Sequence, residues 1–205
     1  MIMLVAAAEV GALAAASSGV LWIGARRGAR RHGRELGPVP AGVVTASAVA
    51  GVLAVALPTG SRPAAVAVAA SALAVSVVTD LRHRLIYNGV LAVAAAMIIF
   101  IELLSAGVAS LLPMIVGAAA GVLVVAGVAA VHHSDIAGGD VKLMGLLGLV
   151  LGVEGVAWAF LLGACVAFAW YARRIAARER FVVPWAPFAA SGMLLWVLVV
   201  HRVVG

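Results

Sequence analysis

The chain has 205 residues, 65% of them hydrophobic and only 11% charged, with a mean hydropathy of +1.20. A soluble domain carries about 25% charged residues, so this composition excludes an ordinary water-soluble fold and points to a polytopic membrane protein. The formal net charge is +6, but the cations sit between apolar runs without interleaved aromatics, which favours topology and anionic headgroups over nucleic acid.

The expected fold is all-α. It is a single membrane domain over residues 1–205, a helix bundle of about eight hydrophobic segments with one short. The first apolar run is Met3 to Ile23. No basic stretch precedes it and Arg26-Arg27 follow it, the reverse of a signal peptide's charge order, so it reads as a retained span. Arg26 to Pro40 reads as a linker with five arginines. Ala41 to Leu57 is the second run, and Pro58 to Pro63 a turn. The third run, Ala64 to Thr79, ends at Asp80-Leu81-Arg82-His83-Arg84. The fourth covers Val90 to Leu104, with Glu102 expected at the far interface.

The fifth run is Leu111 to Val131, where Gly117, Gly121 and Gly127 offer small faces for close helix packing. It leads into His132-His133-Ser134-Asp135-Ile136-Ala137-Gly138-Gly139-Asp140-Val141-Lys142. Lys142 to Gly152 is a short apolar segment with Gly145, Gly148 and Gly152 along one face. Val153 to Ala172 is the seventh run, then a basic linker from Arg173 to Arg180, then Val183-Pro184-Trp185-Ala186-Pro187-Phe188 before the last run. Trp185 and Phe188 suit an interfacial belt. Cys165, the only cysteine, reads as packing; one thiol makes neither an intramolecular disulfide nor a zinc site of several thiolates. No cofactor is expected.

If each run crosses, the segments on one side hold every Lys and Arg except Arg62 and Arg202. By the positive-inside rule that side is the cytoplasm, and it carries both Asp80 and Asp140. Carboxylates at the edge of lipid are expensive, which marks them as functional candidates. Two that meet at one membrane face cannot both ionise easily, and the pair holds a proton between them. One can then draw a proton from water while the other protonates a peptide carbonyl. The plainer readings are Asp140 as a helix N-cap and Asp80 as a polar stop held by Arg82 or Arg84. Gly138-Gly139 allow a tight bend and close approach of another chain.

Three segments resemble the type IV prepilin peptidases, the GxGD class of membrane aspartyl proteases. Asp80 to Asn88 is similar to the family segment in which the first aspartate precedes Arg and then Ile-Pro-Asn. Ala137-Gly138-Gly139-Asp140-Val141-Lys142-Leu143 resembles its Gly-x-Gly-Asp motif, and Val183 to Phe188 its Ile-Pro-Phe-Gly-Pro-Phe. The likeness covers residues 64–200. Ala137 and Tyr87 depart from the usual glycine and proline.

The resemblance implies a bacterial inner-membrane aspartyl endopeptidase. It would cleave the basic leader from a prepilin-like substrate at the cytoplasmic face, with Asp80 and Asp140 catalytic. Lys142, Arg82 and Asn88 would support the dyad or orient substrate. With one cysteine, the chain lacks the paired CxxC motifs of the bifunctional methylating members. Short members of this kind often serve Flp/Tad-type pili or related secretion systems. Two other classes remain open: a catalytically silent scaffold of a pilus or secretion complex, and a small proton-coupled transporter using the same carboxylates.

Overall fold

The computed structural model describes residues 2–47, 62–132, 138–177 and 183–200, and the fold below concerns these. They are helical with no strand among them: α1 (Ile2–Arg31), α2 (41–47), α3 (Pro63–His83), α4 (Asn88–Ala106), α5 (Leu111–His132), α6 (Gly138–Ala176) and α7 (Trp185–Leu195), which continues to Val200 as a wider turn. Among them five helices are long and apolar enough to cross a membrane. In lipid every backbone polar group needs an internal partner, and long apolar helices meet that demand within each segment. Phe100, Leu112, Leu123 and Phe168 face outward, as side chains bathed in acyl chains do.

The bundle has two halves. In one, α1 packs on α3 and α4. Ser71 Oγ on α3 donates to the Ala14 carbonyl of α1 at 2.9 Å, and Gly24 lies against Gly89 at the start of α4. In the other, α6 packs on α5 and α7. The halves meet where α3 touches α7 and α6, and where α4 touches α6. Away from that seam, Glu102, near the far end of α4 from Asn88, is only 2% exposed and is held by Arg62 at 3.4 Å.

Helix α6 has 39 residues. Straight, it would reach about 58 Å, roughly twice the hydrocarbon thickness of a bilayer. It does not run straight. Gly152 leaves helical geometry at φ 70°, ψ −173°, nearly the same backbone as Gly107 between α4 and α5. Contacts on either side show that the chain reverses there. Residues 138–151 lie antiparallel to α5, with Gly148 on Gly117 and Met144 on Gly121. Residues 153–176 lie antiparallel to α7, with Gly163 on Phe188, Ala159 on Gly192 and Gly155 on Trp196. Because α7 begins beside Asp80, the second limb returns toward the end that the first limb left. The expected short segment and seventh run are therefore two limbs meeting at one glycine.

Four expectations need correction. Arg26 to Arg31 belong to α1 rather than to a linker, because the helix runs on past its apolar stretch. Gly127 has no neighbour near a built Cβ, unlike Gly117 and Gly121. Cys165 is exposed on the outer surface of α6 rather than packed inside. Phe188 is buried in edge contact with Tyr171 (5.9 Å), and half-buried Trp185 meets Phe160 in a tilted contact (5.3 Å), so these rings pack between helices instead of forming a belt. Most of the second run and of the Pro58 turn falls outside the described residues.

Gly152→Ala places a side chain in a backbone region nearly reserved for glycine, at about 1–3 kcal/mol. Thermal unfolding in detergent should show a midpoint lower by roughly 3–10 °C. Gly127→Ala, in ordinary helix with open space, should not lower it; equal midpoints for the two variants would refute a strained corner.

Candidate active site

Asp80 does not stand beyond α3, as the run ending at Thr79 suggested. It lies inside the last turn, which continues to His83. Arg84 ends the helix in the left-handed region (φ 54°, ψ 38°), and its N–H donates to the Asp80 carbonyl at 2.8 Å. Its guanidinium charge also acts on the Asp80 carboxylate. Leu85 to Tyr87 then cross to α4, with Tyr87 extended as its N-cap. Asp80 is only 6% exposed. A buried carboxylate needs donors, and one arrives from the other half of the bundle: the Ala186 N–H in the first turn of α7 donates to Asp80 Oδ2 at 3.0 Å.

Asp140 lies in the first turn of α6, where unpaired N–H groups and the helix dipole favour a negative charge. It is close enough to Asp80 for the two charges to act on one another. Gly139 makes that placement possible. A Cβ on it would come within 2.9 Å of the Ile86 side chain and 3.3 Å of the Ile86 carbonyl oxygen. The α6 backbone thus rests directly on the α3–α4 corner. On the same corner Lys142 Nζ donates to Asn88 Oδ1 at 3.0 Å, tying α6 to α4.

The seam thus gathers Asp80, Asp140, Gly139, Lys142 and Asn88 at one end of the bundle. Two of the expected residues stand apart. Gly138 has open space around it, so close approach belongs to Gly139 alone. Arg82 is exposed, and the cation acting on Asp80 is Arg84. Asp135 and Ala137 lie outside the described residues. Sequence reasoning missed the Ala186 N–H, whose only trace was the Pro184–Pro187 bracket, and the cap at Arg84, which left none.

Around this end α1 braces the corner. Tyr87, buried, lies against Gly28, where a Cβ would meet its ring, and its ring centroid is 6.3 Å from that of His32. Burial pushes the Tyr87 hydroxyl above its usual range, with the Arg34 charge opposing. Arg34 donates to the His83 carbonyl, and Trp22 Nε1 to the Gly37 carbonyl at 3.0 Å. Among the described residues no three His, Cys, Asp or Glu side chains gather as metal ligands do. What the arrangement offers is general acid–base chemistry from two carboxyls at one end of the bundle, one screened and hydrogen-bonded, the other at a helix N-terminus.

Residues 67–172, which contain both aspartates, match the family model described as the type IV leader peptidase family. The chain belongs to the type IV leader peptidase family. It is 38% identical over 135 residues to the prepilin leader peptidase/N-methyltransferase of Bacillus subtilis (strain 168), a match covering 61% of this chain and 51% of that relative. The chain therefore spans about half the length of the curated relative it matches. No solved structure matches it. Like the five long apolar helices among the described residues, membership in the family marks it as a multi-pass membrane protein.

Proposed function

We propose that this chain is an aspartyl endopeptidase that removes the leader from prepilin-like substrates, with Asp80 and Asp140 as its catalytic pair. What supports the proposal is that both carboxyls stand at the same end of the bundle, Asp80 in the last turn of α3 and Asp140 beside the Gly139 that rests on Ile86, inside the region that matches the family. A substrate suited to the site has a short basic leader followed by an apolar helix that lodges in the bilayer. The scissile bond at their junction then falls level with the dyad. One carboxyl takes a proton from water as that water attacks the carbonyl carbon. The other protonates the carbonyl oxygen, and the roles exchange as the tetrahedral species collapses and the amine leaves. Lys142 and Asn88 keep the first turn of α6 on the corner. The reading covers cleavage alone, not methylation.

Co-expression of such a substrate with this chain in a bacterial host lacking its own leader peptidase tests the proposal. The expected result is a shortened substrate in the membrane fraction. A full-length substrate beside membrane-inserted protein would overturn the reading and leave a silent scaffold in its place.

The dyad is proposed to face the cytoplasm of the inner membrane. Arg26 to Arg34, Arg82, Arg84, Lys142, Arg173 and Arg174 belong to its end of the bundle, and Arg62 to the other. In a Cys165→Ser background, an impermeant thiol reagent should label Ala109→Cys in spheroplasts. It should label Ala177→Cys only after permeabilisation, and the opposite pattern would reverse the orientation.

A further inference from the structure

The Val183–Phe188 segment, similar to a segment of the family, lies past the residues 67–172 that match the family model. We infer that the first turn of α7 is a working part of the site and that the Ala186 N–H positions Asp80. The catalytic consequence rests on the leader-peptidase reading; the contact itself does not.

The first four N–H positions of a helix have no intrahelical acceptor. In α7 they fall on Pro184, the N-cap, then Trp185, Ala186 and Pro187. The two prolines carry no N–H. Half of the orphan donors are thus deleted by sequence, and this helix start can sit against a buried acid without a crowd of unpaired groups. Ala186 is fully buried, and its N–H goes to Asp80 Oδ2 at 3.0 Å. Trp185 on Phe160 and Phe188 on Tyr171 anchor the same turn to the second limb of α6. The donor is therefore held by packing, not by a mobile side chain.

The contact crosses the seam and joins α3 to α7. With Oδ2 occupied by a fixed donor, the carboxyl has one orientation. A hydrogen bond to a carboxylate is worth about 1.5–3 kcal/mol, or roughly tenfold to a hundredfold in a rate that depends on it. Ala186 is accordingly a positioning residue: it acts through Asp80 and touches no substrate in this argument.

The chain has two Trp-Ala pairs, Trp158-Ala159 and Trp185-Ala186. Carbonyl-13C tryptophan with 15N alanine therefore yields two amide signals from the full chain in micelles. Ala159 in α6 serves as the internal reference. In Asp80→Ala the Ala186 amide should exchange with solvent at least about tenfold faster, with Ala159 unchanged. Asp80→Asn, which keeps an acceptor oxygen, should retain most of the protection. In the cleavage assay Ala186→Pro, a residue tolerated in a first helical turn, should lower kcat about tenfold more than Ala186→Ser, with KM alike. Equal Ala186 exchange in the native chain and in Asp80→Ala would overturn the inference whatever the cleavage result. So would equal kcat losses in the two Ala186 variants. Failure of the peptidase reading shows separately, as an uncut substrate with native protein.

Discussion

Asp80→Asn and Asp140→Asn should each lower leader cleavage of a co-expressed prepilin-like substrate by about 10²–10⁴-fold. Asparagine has the shape of aspartate but can neither release nor accept the proton that the reaction moves. At Asp80 the substitution is close to a pure chemical change, because an amide oxygen can still accept from the Ala186 N–H. At Asp140 the neighbours that place the side chain are backbone and glycine, which the substitution leaves alone: Gly139 on Ile86, and Lys142 on Asn88. On the proposed mechanism the carboxyls work as a unit, so the double variant should be hardly worse than either single one. The ratio of processed to unprocessed substrate on a gel measures all three. Cleavage within tenfold of native in either single variant would remove the dyad from the mechanism.

The second large effect is expected far from the carboxyls. Gly117 and Gly148 face each other so closely that a methyl group on either would overlap the carbonyl oxygen of the other. Between helices in lipid there is little hydrophobic drive, and close backbone packing through small residues does the holding. Gly148→Ala forces α5 and the first limb of α6 apart against backbone that cannot rotate away. Overpacking of this kind destabilises by about 1–3 kcal/mol, or more where backbone is the obstacle. The unfolding midpoint in detergent should fall by about 4–12 °C. That limb also carries Asp140 at its start, so cleavage should fall with stability. A native midpoint for Gly148→Ala would mean that the two helices are not in backbone contact.

These two predictions draw on different kinds of legibility. The glycine stripe at 145, 148 and 152 and the pair at 117 and 121 could be read as close-packing faces from spacing alone, since helical periodicity is a local property. That Gly152 is a reversal and Gly148 a contact could not. Both have the same residue type at the same spacing, and only the partner helix tells a flat face from a corner. Likewise two carboxylates at the edges of apolar runs stood out because charge there is costly. Which cation serves Asp80 did not. Arg82 and Arg84 flank it almost equally in sequence, and the left-handed cap at Arg84 decides between them. The expected interfacial belt failed for a related reason. Trp185 and Phe188 have belt chemistry, but Phe160 and Tyr171 offered them a packed alternative that hydropathy cannot see.

By itself, then, the sequence determined the membrane class, most of the helical runs among the described residues and the two aspartates as the residues most in need of a purpose. Each follows from composition or short-range periodicity, which lipid enforces segment by segment. The tertiary structure alone decided that α6 folds back at Gly152, and that Gly139 rather than Gly138 makes the close approach. It alone brought the Ala186 N–H, 106 residues away, to the Asp80 carboxyl. Contacts of that range depend on how whole helices dock, and no local pattern around Asp80 encodes which backbone donor will reach it.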